Sequence, residues 1–201
     1  SETGISENRV SIASAAVDLA KSIFGPLKHS KALIIGAGEM AGLVAVHLRD
    51  NGVKKMYFIN RTESAAIELA EKFDGQARSF EHIDELLCSC DIVISSTAAP
   101  GTIIERDQME KVMQKRSARP LFVIDIAVPR DFDPECQTIA NIFLYDVDDL
   151  QNVVNENLSQ RKSEAEKAGA IVRYEASQFQ ESAQIYTVVP LIRRLREQAE
   201  S

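Results

Sequence analysis

The sequence predicts an α/β fold: a doubly wound, mainly parallel sheet, preceded by one helix and followed by a long extended one. Three observations predict it. Apolar strand-like runs alternate with helical segments from Lys31 to Asp146. Several of these runs are continuous rather than alternating, as in strands covered on both faces; Asp91-Ile-Val-Ile-Ser-Ser-Thr97 and Leu121-Phe-Val-Ile-Asp-Ile-Ala127 are examples. The first run ends in Leu33-Ile-Ile-Gly-Ala-Gly-Glu-Met-Ala-Gly42, two glycines one residue apart with a helical pattern starting at once.

Each element follows from local pattern. Val10, Ala13, Ala16, Val17, Ala20, Ile23 and Phe24 recur at helical spacing, closed by Gly25-Pro26, so residues 10–24 should form an amphipathic entry helix, within a leading segment 1–26, packed against the sheet. A strand over 31–36 leads to a helix over 39–51 that stops at Asn51-Gly52. A strand over 55–60 leads to a helix over 63–73 that stops near Asp74-Gly75. A short strand near 76–80 and a brief helix at 82–88 come next. Strand 91–97 enters a loop marked by Pro100-Gly101, a helix over about 105–116 leads to strand 121–127, and a last strand covers 142–146. Connections of this kind are right-handed almost without exception.

The glycine segment carries chemistry. Gly36 allows the tight turn out of the strand, Gly38 lets a pyrophosphate approach the backbone, and Ala41 or Gly42 keeps the next helix close to the sheet. The helix start offers unpaired N–H groups to phosphate. Residues 27–147 are therefore expected to form a Rossmann-like dinucleotide-binding domain. At the end of the second strand, an NAD enzyme carries Asp or Glu for the ribose 2′-hydroxyl; here stand Asn60 and Arg61. A guanidinium binds a 2′-phosphate that a carboxylate would repel, so NADP(H) is expected over NAD(H). Thr62 adds a hydroxyl and fits as the N-cap of the next helix. The plain alternative is that Arg61 is a solvated charge and Thr62 only a cap.

Composition sets bounds. The chain has 201 residues, a hydrophobic fraction of 45% and a charged fraction of 26%, ordinary for a globular protein. A formal charge of −7 argues against a general nucleic-acid-binding surface. Lys111, Lys115, Arg116 and Arg119 cluster on one predicted helix and its exit, and are expected to be a solvated face. Cys88, Cys90 and Cys136 lack zinc-site spacing and are expected to be small buried residues; His29, His47 and His82 are scattered. No metal site and no catalytic residue is expected in this chain. No apolar span is long enough for a membrane helix and nothing resembles a signal peptide, so a cytoplasmic location is expected, or the plastid stroma for a plant source. The chain starts at Ser1 without Met and is expected to be a piece of something longer.

After Asp146 the character changes. From Val147 to about Ser182 there is no proline, one glycine (Gly169) and many Glu, Gln, Lys, Arg and Ala. Residues 148–183 should form one helix of about 35 residues, about 50 Å long. Leu150, Val153, Val154, Leu158, Ala165, Ala168, Ile171, Val172 and Phe179 give it an apolar stripe, which is expected to be covered by another domain or subunit and not by this chain. Residues 184–201 break the pattern at Tyr186-Thr-Val-Val-Pro190 and start a further helix.

With these residues laid out, the chain resembles the glutamyl-tRNA reductase family over nearly all its length. The resemblance rests on Val10-Ser-Ile-Ala-Ser-Ala-Ala-Val17, Ile35-Gly-Ala-Gly-Glu-Met-Ala41, Asn60-Arg-Thr62, Ser95-Ser-Thr-Ala-Ala-Pro100, Ile124-Asp-Ile-Ala-Val-Pro-Arg-Asp131, Tyr145-Asp-Val-Asp-Asp-Leu150 and Val188-Val-Pro-Leu-Ile192. It implies an NADPH-dependent oxidoreductase that reduces glutamyl-tRNA to glutamate-1-semialdehyde, the first committed step of five-carbon tetrapyrrole and heme biosynthesis. The family's cysteine nucleophile lies in an N-terminal domain with a Thr-Cys-Asn-Arg-type motif, which this chain does not contain.

The chain would then be the cofactor domain, the connecting helix and the start of a dimerisation domain, inactive alone. The resemblance further implies a homodimer through the C-terminal helices, glutamyl-tRNA contacts mainly through other domains, and hand-over to the downstream aminotransferase. Cofactor contacts carried over by position are Gly36, Ala37, Gly38, Glu39, Met40 and Ala41 for phosphates, and Asn60, Arg61 and Thr62 for the 2′-phosphate end. Ser96, Thr97 and Ala98 would lie along the pyrophosphate or nicotinamide ribose, and Ile126, Ala127 and Val128 at the nicotinamide ring. Asp125, a carboxylate inside an apolar strand, needs a partner, and stands between a structural role and one near the ring. Two alternatives remain: the cofactor domain of a shikimate-dehydrogenase-like NADP enzyme, and a non-catalytic assembly module.

Overall fold

A computed structural model describes residues 2–156, 159, 166–169, 171, 172, 174 and 176, with side chains from Ile12 onward. Strands β1 (Lys31–Ile35), β2 (Lys55–Ile59), β3 (Gln76–Ala77), β4 (Ile92–Ser95), β5 (Leu121–Asp125) and β6 (Ile142–Asp146) form one sheet in the order β3-β2-β1-β4-β5-β6. Every pairing is parallel. The chain winds outward from β1 to β3, then returns to the middle and winds the other way from β4. Between β1 and β4 the winding reverses, and open α/β sheets leave a crevice there at the carboxyl ends of their strands.

Residue alternation along each strand assigns the layers. Ala32, Ile34, Phe58, Ile92, Ile94, Phe122 and Ile124 face one side, and α1 (Glu2–Phe24), α2 (Glu39–Asp50) and α3 (Glu63–Phe73) pack there. Leu33, Ile35, Ile59, Val93, Leu121 and Val123 face the other, under α4 (Ile83–Ser89) and α5 (Arg106–Lys115). The buried stripe of α1 is Ile12, Ala13, Ala16, Val17 and Ala20. Its small residues let the helix lie close to α2, its main neighbour. The helix starts at Glu2 rather than near residue 10, because Glu2–Arg9 holds almost no apolar residues for periodicity to detect. It ends at Gly25, whose φ of +69° suits glycine.

Two expectations need correction. Arg116 is not part of a solvated face: it is 2% exposed. Its guanidinium donates to the carbonyls of Leu87 (2.6 Å), Cys88 (3.1 Å), Cys90 and Pro120 (2.6 Å). A planar fork with several donors can satisfy the carbonyls at the end of α4 together, where the helix dipole also favours a cation. Arg119 pairs with Asp91 at 3.0 Å, and Lys111 and Lys115 are exposed. Nor is the whole stripe after residue 147 left uncovered by this chain. Residues 147–156 are helical, Leu150 is fully buried in the α1–α3 core, and Val154 is 7% exposed.

Residues to Val154 form one compact unit and those from Asn155 a second. In the second, the described residues are helical and Ile171, Val172 and Tyr174 are exposed. Leu158, Ala165, Phe179 and everything expected for 184–201 lie outside the described residues. No helix among the described residues is long and apolar enough to cross a membrane.

Arg116→Leu should destabilise the chain by ~3 kcal/mol or more, since it strands several buried carbonyls at once, whereas Lys115→Ala should stay within ~0.5 kcal/mol. Urea unfolding followed by circular dichroism measures both. Equal midpoints for Arg116→Leu and the parent would show that the carbonyls are satisfied without it.

Candidate functional site

Ile35, Ile59, Ser95 and Asp125 lie on one register line across β1, β2, β4 and β5. The loops that follow them therefore leave the same edge of the sheet side by side. Gly36–Ala41, Asn60–Thr62, Ser96–Ala98 and Ile126–Val128 each begin directly after one of these residues. The four sequence-selected segments converge because parallel pairing in this register leaves them no other course.

The glycine turn is constrained by its neighbour strand. Gly36 has φ +96° and donates to the Ile59 carbonyl at 2.8 Å, and a Cβ there would overlap the backbone carbonyl of Ser96. Gly38 is extended and caps α2; a Cβ on it would meet Ser96 Oγ at 3.1 Å. Of the two candidates for close helix packing, Ala41 is fully buried while Gly42 faces open space, so Ala41 fills that role. Gly42 is the first residue to bond back, to the Gly38 carbonyl at 3.2 Å. The N–H groups of Met40 and Ala41 thus have no acceptor within the helix. Ala37, Gly38 and Glu39 are exposed.

A cleft of ≈ 460 Å³ opens at this edge. Asn60, Arg61, Thr62 and Phe80 line it from the β2–β3 side, and Thr97, Ala98, Ala99 and Ile103 from the loop after β4. Asn60 Nδ2 donates to the Thr62 carbonyl at 3.0 Å, which shapes the turn. Thr62 is the N-cap of α3 by backbone geometry, yet its hydroxyl makes no capping hydrogen bond. Arg61 is exposed and has no ion pair or hydrogen bond among the described residues. No carboxylate lines the cleft. Such a concave, mostly apolar space with a free cation at its rim suits an aromatic ligand carrying phosphate. Phe80, 37% exposed, was not picked out from sequence; its only signal is an aromatic residue inside the polar turn Ser79–His82.

Ile126, Ala127 and Val128 share the edge but do not line this cleft. Val128 is 81% exposed, beside a cis Val128–Pro129 bond, while Ala127 is buried. Asp125 turns out to serve its own loop. Its carboxylate accepts from the N–H of Ala127 (3.1 Å) and of Phe132 (2.9 Å). Burial holds its pKa above the ordinary carboxylate value, against the opposing pull of those two N–H groups. Asp131, fully buried, was assigned no role from sequence. It accepts from Ser95 Oγ at 2.6 Å, from the Thr97 N–H at 3.0 Å and from the Thr97 hydroxyl.

Two of the three cysteines, Cys90 and Cys136, are held as buried thiols. Both are fully buried, and burial pushes each thiol up to about 11. Cys88, half-buried on α4, faces the Val112 carbonyl at 3.9 Å. No group of three or more metal-ligating side chains is assembled among the described residues.

The family model described as Shikimate / quinate 5-dehydrogenase matches residues 18–153. The glutamyl-tRNA reductase of Syntrophobacter fumaroxidans is 49% identical over 201 residues, all of this chain and 44% of that protein. Among solved structures, the glutamyl-tRNA reductase of Methanopyrus kandleri aligns with a TM-score of 0.74 and 38% identity, over 86% of this chain and 44% of that one. The nucleotide-binding domain of the Thermoplasma volcanium glutamyl-tRNA reductase aligns at a TM-score of 0.58 and 20% identity, covering 75% of this chain and 96% of that one; this likeness shows the fold alone. The chain spans less than half the length of the curated relatives it matches.

In the folded chain at pH 7.5, Cys90 and Cys136 should react with iodoacetamide at least about 100-fold more slowly than after unfolding, since burial withholds both the thiolate and access to it. Mass spectrometry of peptides from pulse-labelled protein reads this directly. Fast labelling of either residue in the native chain would contradict it.

Proposed function

The chain belongs to the family described as Shikimate / quinate 5-dehydrogenase and, over its whole length, to the glutamyl-tRNA reductases, and on that premise we propose that it is the NADPH-binding part of an enzyme that reduces glutamyl-tRNA to glutamate-1-semialdehyde. The observation that carries the cofactor reading is the rim of the cleft. Arg61, without an ion pair or hydrogen bond among the described residues, stands where a 2′-hydroxyl-binding carboxylate would select NAD. A guanidinium there makes charge-assisted bonds to a 2′-phosphate, and the Thr62 hydroxyl, unused as a cap, can add another.

The N–H groups of Met40 and Ala41, at the positive end of α2, would receive the pyrophosphate above the turn formed by Gly36, Ala37, Gly38 and Glu39. Ser96, Thr97 and Ala98 would flank the sugar-phosphate chain, and Ile126, Ala127 and Val128 would meet the nicotinamide end. Bound NADPH supplies hydride. The acyl group it reduces would be held by a thiolate outside this chain, since Cys90 and Cys136 are buried thiols. Val128, apolar and projecting from the sheet edge, would exclude water beside the transferred hydride.

The tRNA would be gripped mainly by segments of the longer protein, in keeping with a charge of −7 here. Assembly as a homodimer through the C-terminal helices, and delivery of the semialdehyde to an aminotransferase, complete the proposal, with a cytoplasmic or plastid-stroma location. The shikimate-dehydrogenase-like alternative accounts for residues 18–153 only, whereas the similarity to glutamyl-tRNA reductases continues through the polar segment that follows.

The chain should bind NADPH more tightly than NADH, and Arg61→Ala should remove most of the difference. Losing a charge-assisted phosphate contact should weaken NADPH by roughly 10- to 100-fold with little change for NADH. Fluorescence titration of both cofactors decides; equal affinities in the unmutated chain would remove the basis for an NADP(H) site. With NADPH and glutamyl-tRNA supplied, this chain alone should yield no glutamate-1-semialdehyde. Product that disappears in Cys88→Ser would place the nucleophile here after all.

A further inference from the structure

We propose that Asp131 is a positioning residue that sets the wall of the cofactor cleft formed by residues 97–103. This rests on the NADP(H) reading of that cleft. The inference comes from where both ends of that wall are tied. At its start, Asp131 accepts from the Thr97 N–H at 3.0 Å and from the Thr97 hydroxyl, and from Ser95 Oγ at 2.6 Å just before it. At its end, the Asp131 carbonyl accepts from the N–H groups of Ile103 (2.7 Å) and Ile104 (3.0 Å). One fully buried residue therefore holds a loop that leaves β4 and returns toward α5. The tie extends inward as well, since the Thr97 hydroxyl accepts from the Ala99 N–H at 3.2 Å.

Asp131 is in turn fixed from behind. It sits between Ala127 and Phe132, whose N–H groups both donate to Asp125. The two carboxylates make a relay from β5 to the cleft: Asp125 shapes the 126–132 loop, and that loop presents Asp131 to Thr97. Thr97, Ala98, Ala99 and Ile103 face Asn60–Thr62 and Phe80 across the cleft, so the position of this wall sets its width. Asp131 does not line the cleft itself. It acts through Thr97.

The geometry also says which replacement should work. Asp131→Asn would not restore a charge, but one amide oxygen can accept from Ser95 Oγ and the Thr97 N–H, while the amide nitrogen donates to the Thr97 hydroxyl. Alanine can do neither, and leaves the Thr97 N–H and both hydroxyls without their acceptor.

The test uses this chain, with NADPH and with 2′,5′-ADP as probes, alongside amide hydrogen exchange. Asp131→Ala should weaken both probes by about tenfold or more, Thr97→Val by a smaller factor, and Asp131→Asn should stay within about threefold of the parent. Exchange in Asp131→Ala should accelerate at 97–104 while the β1 and β2 amides stay protected. Unchanged affinity in Asp131→Ala would overturn the proposal, and so would an Asp131→Asn as weak as the alanine variant. Should Asp131→Ala fail to fold, an unaffected Thr97→Val would overturn it equally. If the unmutated chain bound neither probe, the cofactor reading itself would fall and this proposal with it, a failure visible before any substitution is made.

Discussion

The fold turns on a close approach of two backbones. At the reversal of winding, the turn after β1 passes so near the loop after β4 that a side chain on Gly36 would overlap the Ser96 carbonyl. That approach lets Ser96 donate its N–H to Ile35 at 2.9 Å and Gly36 its own to Ile59 at 2.8 Å, so three strands end in step. Because they end in step, α2 starts at the crevice with its first N–H groups toward the opening, the turn after β2 flanks it on one side, and the loop after β4 on the other. A residue with a Cβ at position 36 would force one of these apart, and φ +96° would strain it as well. The glycine turn proposed to receive phosphate is thus inseparable from the packing of the sheet: glycine is required there by the protein before any ligand arrives.

How much of this could be read from the sequence depends on which force placed each residue. Elements fixed by apolar burial were legible, because their period is local: β1, β2, β5, β6, α3 and α5 fall within a residue or two of where hydrophobic pattern and turn residues set them. The convergence of the Gly36, Asn60, Ser96 and Ile126 segments was legible too, since parallel topology carries strand ends to one edge. What escaped was polar burial. Arg116 looked like one more cation on a helix exit, and nothing local distinguishes it from Lys115. Of the carbonyls that hold it, those of Leu87, Cys88 and Cys90 lie a whole element earlier in the chain. Asp131 was quoted in a motif yet given no task, because its partners Ser95 and Thr97 become neighbours only when β5 pairs with β4.

Leu150 and Val154 show the opposite error. Their helical spacing was read correctly, but spacing says which face is apolar and not what covers it. The α1–α3 core covers Leu150. Ile171 and Val172, farther along the expected stripe, are exposed.

The arrangement of charge at the crevice resolves an apparent contradiction in a site for a phosphate-rich ligand. Two carboxylates, Asp125 and Asp131, stand behind the loops that would surround it, and an anion should be repelled by them. Neither lines the cleft, and both are engaged by donors of the protein itself: Ala127 and Phe132 for one, Thr97 and Ser95 for the other. Among the described residues the unshared charge that lines the cleft is Arg61, and the donors left without a helical acceptor at the start of α2 are the N–H groups of Met40 and Ala41. The polar groups are therefore sorted by role. Acceptors are consumed internally to hold the loops, while donors and the cation are left for the ligand. A site built this way gains rigidity from its carboxylates without their field opposing the phosphates, and under the proposed NADP(H) reading it would discriminate at its rim, where Arg61 would meet what the ligand carries at its 2′ position.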